Sequence, residues 1–219
     1  MKTRNTLRSI LRATVLCSSL GLALASSPVR SIARAAIQQS ETASPEQFVG
    51  YYQMPTNADF IRIEQKDGIL WATKLWDNQK YQLEQIDETH FKSQAEAYQV
   101  EFLKDNAGQV VAVKILDKFT AIKVAFNPEV VLQLSAEQLQ PFAGTYSLTG
   151  KESFQIDIRP SASGLILKQL WDNKEISFSA RSDNFFLSED GSFPMTFRLS
   201  GGKVTQVTCF EKDSWLKIQ

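Results

Sequence analysis

Phe48-Val49-Gly50-Tyr51-Tyr52 returns later in the chain as Phe142-Ala143-Gly144-Thr145-Tyr146. Leu75-Trp76-Asp77-Asn78 returns as Leu170-Trp171-Asp172-Asn173. Phe91 answers Phe186, Phe102 answers Phe197, Gly108 answers Gly202 and Val113 answers Val207, always 94 or 95 positions apart. One such match can arise by chance, but an ordered series at a fixed offset marks a tandem duplication. The copies run over about 45–124 and 139–219, and residues 125–138 join them.

Each copy reads as short strands. Ile61 and Ile63 alternate with Arg62 and Glu64, and Ile156 and Ile158 alternate with Asp157 and Arg159. Val111, Val113 and Ile115 share a face opposite Ala112 and Lys114. Period-two alternation sends the apolar set to a core and the charged set to water. Asp67-Gly68, Asp77-Asn78, Asp105-Asn106-Ala107-Gly108, Asp190-Gly191 and Gly201-Gly202 separate the runs. These residues tolerate the positive φ of tight hairpins. The expected fold is all-β: two tandem small antiparallel β-barrels, or strongly curved meanders, of about eight short strands each. Ser44–Phe48 and Ser135–Leu139 suit single capped helical turns.

The four Trp, five Tyr and 14 Phe all lie between Phe48 and Trp215, so the folded body is expected over 45–219. Residues 26–44, rich in Ser, Ala and Gln, read as a flexible leader. Residues 1–25 have the form of a signal peptide, with a basic start, an apolar run over Ala13–Ala25 and Ala23-Leu24-Ala25 as a cleavage site, Ala33-Arg34-Ala35 offering a second. The expected location is therefore periplasmic or secreted. No membrane span is expected after cleavage, because the apolar run is about half the ~20 residues a span needs. Cleavage would remove Lys2, Arg4, Arg8 and Arg12 and no acidic residue, turning a formal net charge of 0 into −4. Without a basic stripe, nucleic acid is not an expected partner. Cys209 would remain alone, so an intramolecular disulfide framework is excluded for the mature chain.

The series Phe142-Ala143-Gly144-Thr145-Tyr146, Ile156-x-Ile158, Gly164-Leu165, Phe185-Phe186, Phe197 and Gly202-Lys203-Val204 resembles an uncharacterised small β-barrel, lipocalin-like domain. In that family the domain commonly follows a serine β-lactamase-like or penicillin-binding-type hydrolase domain. Phe48 to Tyr52, Asp67-Gly68-Ile69-Leu70, Phe91, Phe102 and Asp105 to Val110 carry the same pattern in the first copy. The resemblance implies an accessory domain and supplies no catalytic residue, because the part that bears the nucleophile has no counterpart in these repeats. Its implied partner is a separately encoded cell-envelope hydrolase.

Direct signs of chemistry are weak. Ser200-Gly201-Gly202-Lys203 matches Ser-x-x-Lys only formally, since that chemistry needs the serine on a helix and Gly-Gly here reads as a hairpin. His90, the one histidine, stands where the second copy has Phe185, and Cys209 stands where the first has Ile115. No catalytic residue, metal ligand or cofactor is assigned. Candidate contacts to a ligand or partner are Trp76, Asp77 and Asn78, Trp171, Asp172 and Asn173, together with Tyr52 and Tyr146. The Trp rings would act as stacking platforms, the Asp-Asn pairs as polar rims and the tyrosines as residues of a barrel mouth. The structural alternative is a pair of turns and two core tyrosines. Adjacent strand residues face opposite sides, so Leu75 and Leu170 are expected inward. The Trp rings are then expected outside, partly buried between the modules. The resulting functional expectation is an exported non-catalytic binding or accessory module. The rival is a purely structural interaction module with filled barrels, towards which the many aromatics lean, and a cryptic hydrolase comes third.

Overall fold

The computed structural model describes residues 44–219. The expected signal peptide and nearly all of the expected leader lie outside the described residues. The first copy contains β1 (Gly50–Gln53), β2 (Phe60–Lys66), β3 (Ile69–Lys74) and β4 (Lys80–Gln85). It continues with β5 (His90–Ser93), β6 (Gln99–Lys104), β7 (Val110–Ile115) and β8 (Phe119–Val124). The second contains β9 (Gly144–Leu148), β10 (Lys151–Ser161), β11 (Gly164–Gln169) and β12 (Glu175–Ala180). It ends with β13 (Phe185–Ser188), β14 (Pro194–Ser200), β15 (Lys203–Cys209) and β16 (Asp213–Lys217).

Both copies are closed antiparallel barrels in which every strand pairs with its sequence neighbours. β1 closes on β8, and β9 closes on β16. The expected meander therefore has no free edge to pair with another chain. The registers confirm the repeat: Tyr52 faces Ile61 as Tyr146 faces Ile156, and Phe102 faces Val113 as Phe197 faces Val207. The buried interior is largely apolar, and Glu64 and Glu84 stand on the outer face beside Ile63 and Leu83, which face the core.

One end of each barrel is sealed by the Phe-x-Gly-x-Tyr motif. A 3-10 turn (Pro45–Phe48 in one copy, Gln140–Phe142 in the other) drops Phe48 or Phe142 into the opening. Phe48 packs on Phe91 and Phe102 with centroids 5.2 and 4.5 Å away, and Phe142 packs on Phe186 and Phe197 at 5.1 and 4.7 Å. The tyrosine hydroxyl, fully buried, donates to the carbonyl of that phenylalanine, Tyr52 to Phe48 and Tyr146 to Phe142, both at 2.7 Å. Between them the chain turns from plug to strand at Gly50 (φ 140°) and Gly144 (φ 139°). A Cβ on Gly144 would stand 2.1 Å from the carbonyl oxygen of Gln219, so only glycine fits there. Lys123 and Lys217 complete the seal by donating to the carbonyls of Gln47 and Pro141 at 2.8 and 2.9 Å.

The two expected capped turns differ. Ser135 caps α1 (Ala136–Leu139) with a reciprocal bond to Gln138. The turn at Pro45 takes no backbone N–H onto Ser44 Oγ, because that hydroxyl engages the Glu46 carboxylate instead. Between the barrels lies a small apolar cluster of Phe60, Phe185 and Leu187, with Leu75, Val124 and Phe126 packed against it. The joining segment is fixed to the first barrel by Glu129, which accepts from Tyr51 and Arg62.

Burial raises the pKa of both Tyr52 and Tyr146 above the ordinary 10.0. The unfolded chain releases these protons first, so their contribution to stability is complete below about pH 10 and falls as pH rises further, by up to ~1.4 kcal/mol per pH unit for each. Lys123 and Lys217, lowered by burial, act in the opposite sense below the ordinary lysine value. Near-ultraviolet titration should therefore find that two of the five tyrosines stay protonated until the fold is lost. Tyr52→Phe and Tyr146→Phe should each cost about 1–2 kcal/mol in denaturant unfolding, from the orphaned carbonyl.

Candidate functional site

β3 and β11 both end one residue before the repeated Leu-Trp-Asp-Asn, so strand alternation does not reach it. The interior position at the end of each strand belongs to Lys74 and Gln169. Leu75 packs between the barrels and Leu170 is 43% exposed, contrary to the expectation that both point into a barrel core. Trp76 and Trp171 are 46% and 45% exposed. The Asp-Asn pairs are turn chemistry. Asn78 and Asn173 take left-handed φ of 58° and 61°, while Asp77 and Asp172 accept the N–H of Gln79 and Lys174 at 3.0 Å. Tyr52 and Tyr146 belong to the seals described above, at the end away from the Trp residues, with no exposed surface.

The two tryptophans share a position and differ in surroundings. Trp171 stacks on Trp215 (6.2 Å, 13°) and meets the edge of Phe154 at 5.3 Å. Trp76 has no aromatic partner of that kind. It stands on the rim of a cavity of about 270 Å³ inside the first barrel. Ile61, Ile63, Ala72, Leu83, Val100 and Val113 form its walls. Tyr81 and Tyr98, with centroids 5.9 Å apart, line it nearer the rim.

Register explains why this space exists in one barrel. Ala72 faces Ile63 where Leu167 faces Ile158. Leu83 faces Leu70 where Phe178 faces Leu165. Val100 faces Phe91 where Met195 faces Phe186. Ala121 faces Val113 where Trp215 faces Val207. At four interior positions the second barrel carries the larger side chain, and all four of those larger residues are buried in its core. Phe193 and Phe210, stacked at 4.3 Å, lie across the same end. Outside them is an open, mostly polar depression of about 700 Å³ bordered by Lys174, Glu175, Glu189 and Asp190.

Lys74 is the only charged side chain lining the first barrel's cavity. Its ammonium lies 3.1 Å from the Asp77 carboxylate, 5.5 Å from the Trp76 ring centre and 5.4 Å from that of Tyr81. Desolvation pulls the pKa of Lys74 down, but the contacts with Asp77 and Tyr81 outweigh it and leave it raised; that of Asp77 is lowered against desolvation by the Gln79 N–H and then by Lys74. Lys74 alternates with Ala72 and Leu70 along β3 and so stands on the interior face, a position the sequence pattern marks but its charge disguises.

The remaining reactive side chains are placed apart. His90 is exposed and pairs with Asp87 at 2.8 Å. Cys209 is buried in the second core, and that burial, with Asp213 nearby, drives its thiol pKa up. Ser200 and Lys203 flank the β14–β15 hairpin, whose turn is Gly201-Gly202. No family model matches the chain, and no curated protein matches it. Among the described residues no helix is long and apolar enough to cross a membrane.

The unequal surroundings of the tryptophans predict unequal losses. Trp171→Ala should cost about 2 kcal/mol through the lost stack and edge contact. Trp76→Ala should cost less than about 1 kcal/mol, since it gives up chiefly a cation–π contact with Lys74. Urea unfolding of the two single variants checks the difference.

Proposed function

We propose that the protein is an exported, non-catalytic binding module whose first barrel holds one small apolar molecule and whose second barrel is a filled scaffold. The observation that carries this reading is the apolar cavity of about 270 Å³ that opens beside Trp76 and Tyr98, together with the larger residues at the matching positions of the other barrel. An engineered apolar cavity of about 150 Å³ takes up benzene, and ligand pockets begin at about 300 Å³. The space suits a single ring or one short chain. An eight-stranded barrel is at the size where side chains just fill the interior or leave room for one ligand. The duplicated chain carries one instance of each. The N-terminal basic and apolar run supports export, and the absence of a nucleophile–base pair around the cavity walls supports binding without turnover.

The second barrel supplies its own test. Ala72→Leu and Leu83→Phe introduce the residues found at Leu167 and Phe178. Each should abolish saturable uptake of a small apolar probe such as benzene or naphthalene, followed by NMR. Ala72→Leu should also raise stability by about 1–2 kcal/mol, because it buries further methylenes at ~0.8 kcal/mol each. A wild-type protein that takes up no apolar probe, or uptake unchanged in both variants, would defeat the reading.

A further inference from the structure

We infer that the molecule held by the first barrel is a single-chain amphiphile with an anionic head, of the medium-chain carboxylate class, whose head is received by Lys74. This rests on the binding reading above and adds the chemistry of the polar end. The cavity walls are apolar to the depth of Ile63 and Val113, so the buried part of the ligand carries no polar group that would be left unpaired there. Ser93 has its acceptor positions taken by the N–H groups of Glu96 and Tyr98, which leaves its neutral O–H as a polar donor in the lining and no charge there to balance an ionic head. A charged head is therefore placed at the mouth, where Lys74 is the one charged lining residue among the described residues.

The sign of the head follows from how Lys74 is held. Its ammonium already lies over the faces of Trp76 and Tyr81, at 5.5 and 5.4 Å. A cationic head seeking those faces would meet a like charge. An anionic head meets a lysine whose only carboxylate partner, Asp77, is one-third exposed and on the outer side of the rim. The incoming carboxylate replaces Asp77 at the ammonium, and Asp77 returns to water while still accepting the Gln79 N–H. A space of about 270 Å³ receives one short chain and excludes a two-chain lipid. The second barrel has Gln169 at the corresponding position and a filled interior, so it offers neither the space nor the charge.

The test titrates the full protein with octanoate, octan-1-ol and octyltrimethylammonium by calorimetry. Octanoate should bind most tightly. Lys74→Gln, which copies the second barrel, should weaken octanoate about tenfold, the size of one partly exposed charge-assisted hydrogen bond, and leave octanol unchanged. Asp77→Asn keeps the turn and frees Lys74, so octanoate should bind more tightly and octanol as before. Thermal unfolding confirms that both variants fold. Equal binding of octanoate and octanol, or octanoate binding insensitive to both substitutions, would overturn the head-group inference and leave the cavity reading standing. Preferred binding of octyltrimethylammonium would show that the aromatic faces and not Lys74 read the head, with the same consequence. Failure of all three compounds to bind would overturn the cavity reading itself.

Discussion

The seal at one end of each barrel turns on one hydrogen bond, from a buried tyrosine hydroxyl to the carbonyl of the phenylalanine four residues before it. A closed eight-stranded sheet has no free edges, but it has two open ends, and water entering either would wet the apolar interior. Tyr52 and Tyr146 hold Phe48 and Phe142 over one end, where each ring meets two further phenylalanines. Gly50 and Gly144 supply the backbone bend that lets plug and strand lie so close together. The lysine bonds to the plug carbonyls satisfy acceptors that this turn would otherwise leave without partners. With one end secured in this way, the opposite end is free to differ between copies.

It does differ, in side-chain volume and in the longer, bulged β10 that follows β9 after a two-residue turn. The strand order, the bulge near the end of β6 and β14, and the left-handed asparagines at Asn78 and Asn173 are the same in both barrels. What changes is the filling: Ala, Leu, Val and Ala line one interior where Leu, Phe, Met and Trp pack the other. Packing in protein cores is dense enough that a difference of this size cannot be absorbed by small shifts. It appears as space. The filled barrel gains dispersion and burial energy that the hollow one forgoes.

The fold and the repeat were legible because they depend on local rules. Alternation at Ile61–Glu64 and Ile156–Arg159, glycine and asparagine at turns, and a fixed offset between matched motifs are properties of short stretches read one at a time. The Ser135 cap was legible for the same reason. The orientation of Leu75 and Leu170 was not, because strand alternation was extended one residue past the points where β3 and β11 stop. Nor was the part played by the tyrosines. A hydroxyl that seals a barrel base and one that faces a ligand look alike until the opposite strands are in place.

The sequence by itself determined two all-β modules, their turns and the repeated Phe-x-Gly-x-Tyr motif they share. Only the tertiary structure decided that one module is hollow. A barrel interior is built from residues on eight strands, and its volume depends on which side chains face one another across the sheet. Ala72, Leu83, Val100 and Ala121 are spread over fifty positions of sequence, and no one of them marks a cavity. Closure of the barrel brings Ala72, Leu83 and Val100 around one space, with Lys74 at its mouth.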